Sequence, residues 1–347
     1  MCDMSFSQNS VIARSRAVYG RSLTFKDLAR LCTKRSITEV AEYLRNTPRY
    51  HDALSGVEPG NIHRGQLEAL LDKSLFDTLD SFRRFDLTES RWFFGAIVSR
   101  LETDQVLLAI QGVVDGSTDS YITALPAFLI ERSHIDLLEL GRAQSFSDLD
   151  RMLSGTRFGR LLSPLLAEAQ AAGRINIREC ERRLYTDFYL NCMKVIGKSC
   201  KGSAKTEMKR VLLRSIDMKN VVTCCRLKEF GFTPREASEQ TLPFRYRLGK
   251  EQVEQLMKQP DTDSIARQLA ELGFRTDSTA GFAAVEQLTE RISLEFFRRT
   301  MRLSRNSSTV YFCLIECLEN ELHNVKTIIE GIRYGVPAKE IMEMLVI

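Results

Sequence analysis

The sequence predicts an all-α protein made of three tandem, similar helical domains, and three observations carry that prediction. Apolar residues recur with a 3.6-residue period through long windows. Only eight prolines interrupt the 347 residues, and alternating strand patterns closed by hairpin turns are almost absent. A helical motif also recurs at intervals of about a third of the chain, the mark of an internal repeat.

The motif reads "IDMKNVVTCCRLKEFG" at 216–231 and "NELHNVKTIIEGIRYG" at 320–335. In each, Asn precedes Val, an apolar stripe follows, and Gly lies eleven residues beyond the Asn: Asn220 with Gly231, Asn324 with Gly335. A weaker copy at 101–116, "LETDQVLLAIQGVVDG", has Gln105 at the Asn position and closes on Gly116. The anchors Gln105, Asn220 and Asn324 stand 115 and 104 residues apart.

Two more elements recur in step. Apolar-periodic helices are expected around Leu71, Leu184 and Leu288, preceding their anchors by 34, 36 and 36 residues. Short amphipathic helices are expected at 36–44, 145–153 and 261–269, each opening on Ser or Asp as an N-cap and closing on Leu. The order short helix, long helix, anchor helix divides the chain into units 1–118, 119–232 and 233–347.

The closing glycines fit a helix that ends in the left-handed conformation, where a Cβ would clash. Pro234 and Pro337 follow Gly231 and Gly335, each placed to begin a new helix without losing a needed N–H, with Glu in the first turn. An Asn inside a helix costs propensity. Its recurrence at Asn220 and Asn324 points to a side-chain hydrogen bond that fixes packing, against the alternative of a tolerated surface residue.

Residues for chemistry are missing. "VIGKSCKGS" at 195–203 holds Gly-Lys-Ser, but a phosphate loop needs Gly where Cys192 stands, and no strand precedes it. His51, His63, His134 and His323 lack metal-ligand spacing. The nine cysteines (Cys2, Cys32, Cys180, Cys192, Cys200, Cys224, Cys225, Cys313, Cys317) form no CxxC pair and read as reduced, packed thiols. Acidic residues read as solvated faces of amphipathic helices. No catalytic residue, metal site or cofactor is expected.

Net charge is +4, a basic bias too weak to indicate nucleic acid. No run approaches the ~20 apolar residues of a membrane span, and the N-terminus lacks a signal-peptide pattern, so a cytoplasmic protein is expected. The clearest charge feature is Lys194, Lys198, Lys201, Lys205 and Lys209, followed by Arg210 and Arg214, in steps of three or four that place several along one helical face with an interruption at Gly202; a second group is Arg298, Arg299, Arg302 and Arg305. These are either solvated helix faces or a basic surface for an acidic partner or anionic headgroups.

The segments 10–31 "SVIARSRAVYGRSLTFKDLARL", 212–231 "LLRSIDMKNVVTCCRLKEFG" and 317–345 "CLENELHNVKTIIEGIRYGVPAKEIMEML" resemble the C subunit of prokaryotic V-type (A/V-type) ATPases, whose eukaryotic counterpart is the d subunit. Glu321, Asn324, Ile328, Gly331, Gly335, Pro337 and Ile341 fall where that family has such residues. The chain departs from it at "TALPAFL" and "QTLPFRY", which keep Pro126 and Pro243 but lose the glycines of a Pro-Gly-Gly turn, and at Gln105, which replaces Asn.

The resemblance implies a funnel of three helical domains about a pseudo-three-fold axis. It implies a non-catalytic rotor component between the central stalk, made of D- and F-type subunits, and the membrane rotor ring. ATP hydrolysis or synthesis would thereby be linked to proton or sodium transport, with the protein attached peripherally through the complex. Two other classes fit the residues alone: a helical-repeat interaction scaffold, and an enzyme whose site is assembled from distant side chains.

Overall fold

A computed structural model describes residues 2–58, 60, 62–84, 90–117, 121, 125–276 and 284–347. It is 75% helix and, among the described residues, has no strand. The chain begins with α1 (Cys2–Tyr19), α2 (Phe25–Cys32), α3 (Ile37–Arg45), α4 (His51–Leu54), α5 (Arg64–Asp80) and the long α6 (Ser90–Asp115). Next come α7 (Ala127–Ile130), α8 (Leu137–Leu140), α9 (Phe146–Leu153), α10 (Arg157–Ala172), α11 (Ile177–Ser199) and α12 (Gly202–Glu229). The chain closes with α13 (Pro234–Glu239), α14 (Lys250–Met257), α15 (Thr262–Glu271), α16 (Val285–Leu303), α17 (Ser307–Arg333) and α18 (Ala338–Met344).

The three expected element types are present in order. The short helices α3, α9 and α15 start at Ser36, Ser145 and Asp261, whose side chains accept the N–H of Glu39, Asp148 and Ser264. This is the N-cap bond, and it satisfies a donor that has no partner within the helix. The long helices α5, α11 and α16 precede the anchor helices α6, α12 and α17. Gly116, Gly231 and Gly335 take φ of +66°, +81° and +67°, so each anchor helix stops on a left-handed glycine. Pro234 then opens α13, where Thr233 and Glu236 exchange hydrogen bonds across the first turn.

Packing divides the chain into two compact units, one of residues 1–90, 201–239 and 244–347 and one of 91–200 with 240–243. Of the expected domain limits, the one at 118–119 falls outside the described residues.

The first unit contains two apolar cores. In one, Leu31, Val40, Leu44, Tyr50, Leu67 and Leu71 of the N-terminal helices pack on Val325, Ile328 and Ile329 of α17 and Ile341 of α18. In the other, Met218, Val221, Cys224 and Leu227 of α12 pack with Val253, Leu256, Ile265, Leu269, Leu288 and Ile292 from α14–α16. Each core joins an anchor helix to the short helices that follow it in repeat order. For α17 that place is taken by α18 and by helices from the start of the chain.

In the second unit α6 buries Val98, Val106 and Ile110, and α8–α11 bury Leu140, Leu149, Leu153, Phe158, Leu162 and Leu184. The Tyr121 hydroxyl donates to the Leu137 carbonyl at 2.8 Å, fixing the entry into α8.

Candidate functional site

Three residues before each anchor stands a carboxylate: Glu102, Asp217 and Glu321. They are 2%, 0% and 7% exposed. A buried carboxylate is costly unless hydrogen-bonded, and each of these is held by the segment that leads into a short helix.

Asp217 accepts the backbone N–H of Tyr246 (3.1 Å), Arg247 (2.8 Å) and Leu248 (3.2 Å), just before α14. Glu102 accepts the N–H of His134 at 2.6 Å and the Ser133 hydroxyl at 3.1 Å, just before α8, with the His134 Nδ1 3.0 Å away. Glu321 accepts the N–H of Leu23 at 2.6 Å, just before α2, and the Tyr50 hydroxyl at 3.0 Å, with the Arg49 Nε 3.4 Å away. The three clasps therefore sit at equivalent places in the repeat, and the third reaches from the C-terminal anchor back to the N-terminal segment.

Desolvation raises the carboxyl pKa of Asp217 despite its three N–H bonds, and it raises that of Glu321 against the Arg49 charge. A solvated helix face is thus the wrong description for these acidic residues. The sequence carried the signal, since Glu-x-x-Gln, Asp-x-x-Asn and Glu-x-x-Asn align when the three anchors are superposed.

The anchors themselves are buried, with Gln105, Asn220 and Asn324 at 4%, 0% and 2% exposure. Asn324 forms a two-way pair with Val346, its Nδ2 donating to the carbonyl at 2.7 Å and its Oδ1 accepting the N–H at 3.0 Å. Asn220 donates to the Phe244 carbonyl at 3.4 Å, next to the Asp217 clasp. The Gln105 Oε1 is buried with no hydrogen-bond partner among the described residues. Gly116, Gly231 and Gly335 lie at the ends of the same helices, with open space where a Cβ would stand.

The expected interruption of the lysine series falls just before Gly202. Lys194 and Lys198 lie exposed on α11, Cys200 and Lys201 are extended, and Lys205 and Lys209 are half-buried on α12. Arg214 is buried between the rings of Phe274 and Phe296, 4.4 and 4.5 Å from their centroids, and its Nη1 donates to the Gly273 carbonyl at 3.2 Å. Burial brings its pKa down to about 10, and its role is packing.

The Gly-Lys-Ser stretch forms the last turn of α11. Cys32, Cys180, Cys192, Cys200, Cys224, Cys313 and Cys317 are buried free thiols; Cys225 is half-exposed, and the Cys2 side chain lies outside the described residues. Among the described residues no group of three or more His, Cys, Asp and Glu side chains converges, and no helix is long and apolar enough to cross a membrane.

Comparison with known proteins agrees with this architecture. A family model described as ATP synthase (C/AC39) subunit matches residues 11–344. The chain is 22% identical to the C subunit of the A-type ATP synthase of Methanobrevibacter smithii over 349 positions, covering 96% of this chain and 86% of that one. It is also 22% identical to the protein of the same name from Methanothermobacter thermautotrophicus over 357 positions, with the same coverage. With the match running from the first helix into the last, the chain belongs to the ATP synthase (C/AC39) subunit family, and so to the structural, non-catalytic subunits of A/V-type ATP synthases.

Proposed function

We propose that the protein is the rotor coupler of an A/V-type rotary ATPase, joining central-stalk subunits of the D and F type to the membrane rotor ring. ATP hydrolysis or synthesis is thereby linked to proton or sodium transport. In this reading the units 1–118, 119–232 and 233–347 are equivalent modules arranged as a funnel about a pseudo-three-fold axis. The protein is held at the membrane through the complex.

The observation that supports this reading best is the threefold clasp. A part that passes torque has to resist sliding between its helices. The hydrophobic effect is non-directional, whereas a hydrogen bond weakens steeply as its angle is lost. Glu102, Asp217 and Glu321 put such directional bonds at the same place in each module. The decisive experiment mixes purified rotor ring, D- and F-type stalk subunits and this protein. Stalk and ring are expected to co-purify only when it is present; if it binds neither, the coupling role is refuted.

A further inference from the structure

We propose that the C-terminal end of α16 is the centre of a basic docking surface for an acidic segment of a partner protein. Three stretches far apart in sequence build it: Arg16 of α1, Arg210 of α12, and Arg299, Arg302 and Arg305 around Leu303.

Glu207 brings them together. Its Oε2 accepts the Ser304 hydroxyl at 2.8 Å and the Asn306 amide, which fixes the start of α12 against the link between α16 and α17. Arg305 lies between those two gripped residues and is exposed. Arg210 stands one turn along α12, its guanidinium 3.7 Å from the other Glu207 oxygen. From α1, Arg16 donates to the carbonyls of Met301 (3.3 Å), Arg302 (3.0 Å) and Ser304 (2.9 Å). That satisfies carbonyls a helix end leaves open and holds a cation against the negative pole of the helix. Arg299 and Arg302 are exposed neighbours one turn apart. Arg299, Arg302 and Arg305 form no ion pair among the described residues.

The chemistry selects the partner. Arginine presents a planar fork that binds a carboxylate through two parallel hydrogen bonds, and all five cations here are arginines. Leu303 is 70% exposed in their midst, giving the patch an apolar centre and a charged rim, the layout of protein interfaces. A bilayer-binding face would need a broad apolar stripe beneath its cations, and one leucine does not supply it. Acidic side chains with an apolar residue among them complement this patch, and steering by the positive field would speed their approach. The surface stands whether or not the protein couples shaft to ring.

The test uses the full chain and a short fluorescein-labelled helical peptide carrying glutamates on one face with a leucine among them, followed by anisotropy. In a parallel arm, vesicles of phosphatidylglycerol and phosphatidylcholine are sedimented with the protein. The double variant Arg302→Glu/Arg305→Glu is expected to weaken peptide binding by about tenfold or more. Lys194→Glu/Lys198→Glu, the same charge change on exposed sites of α11, should alter it less than about twofold. Arg302→Gln/Arg305→Gln provides a milder pair should the reversal disturb folding by circular dichroism. Equal losses in the two double variants would mean only net charge is sensed, and would overturn the proposal. So would absent peptide binding, or vesicle binding that alone depends on Arg302 and Arg305.

Discussion

Replacing Asp217 by Ala or by Asn separates a buried charge from the bonds it makes. The Asp217 Oδ2 receives Arg247 N at 2.8 Å, Leu248 N at 3.2 Å and Tyr246 N at 3.3 Å, while Oδ1 receives Tyr246 N alone, at 3.1 Å. Alanine removes every acceptor. The Leu248 N–H lies under a fully buried residue, and leaving it unsatisfied costs about 1–3 kcal/mol. Tyr246 and Arg247 are less buried and regain water, losing about 0.5–1.5 kcal/mol each. The total is about 2–6 kcal/mol. Asparagine with its oxygen at the Oδ2 position keeps three acceptor contacts and places only one amide hydrogen against Tyr246 N. Its cost should stay near 1–2 kcal/mol. Thermal melts read the difference, at about 2–4 °C per kcal/mol for a cooperative unit of 150–250 residues, and hydrogen exchange at Tyr246–Leu248 reads it locally. An alanine variant that melts with the wild type, or an asparagine variant as damaged as alanine, would refute the clasp.

The other clasps and anchors make distinct predictions. Asn324→Leu leaves the buried Val346 N–H without its partner, while the Val346 carbonyl keeps the Asn320 amide at 2.9 Å, and should cost about 1–3 kcal/mol in denaturant titration, more than Lys201→Ala at an exposed site. Gly331→Ala puts a Cβ 2.6 Å from Ile341 Cγ1 and 2.8 Å from Cδ1; the overpacking, about 1–3 kcal/mol, should outweigh the propensity gain, and adding Ile341→Val should restore part of the loss. Gly231→Val forces a β-branched residue to φ +81° and should cost about 1–2 kcal/mol or more, read as a lower melting temperature. For Glu321, burial raises the folded-state pKa above the unfolded one. Its stabilising contribution is therefore complete below the ordinary glutamate value of about 4.3 and is lost as pH rises through the folded value. The stability advantage of wild type over Glu321→Gln should accordingly be greatest in acid and shrink toward neutrality, as urea titrations across pH would reveal.

The legible features were those whose physics closes within a few residues. Ser36, Ser145 and Asp261 cap helices through bonds to residues three positions on. Gly231 and Gly335 stop helices because the left-handed turn is local to them. The order of short, long and anchor helices followed from periodicity and repetition. The carboxylates are different. Glu321 reads as one more acid on an amphipathic helix until Leu23 and Tyr50, from the far end of the chain, close over it. The interruption of the lysine series expected at Gly202 is also local, since the backbone extends at Cys200 and Lys201 just before Gly202 opens α12. Sequence alone determined the helical class, where the capped short helices begin and where the anchor helices end, because caps and left-handed glycines act over one turn. Tertiary structure decided which charges are buried and which surfaces stay open, because a hydrogen bond to a buried carboxylate is set by whatever segment the fold brings within about 3 Å, however distant along the chain.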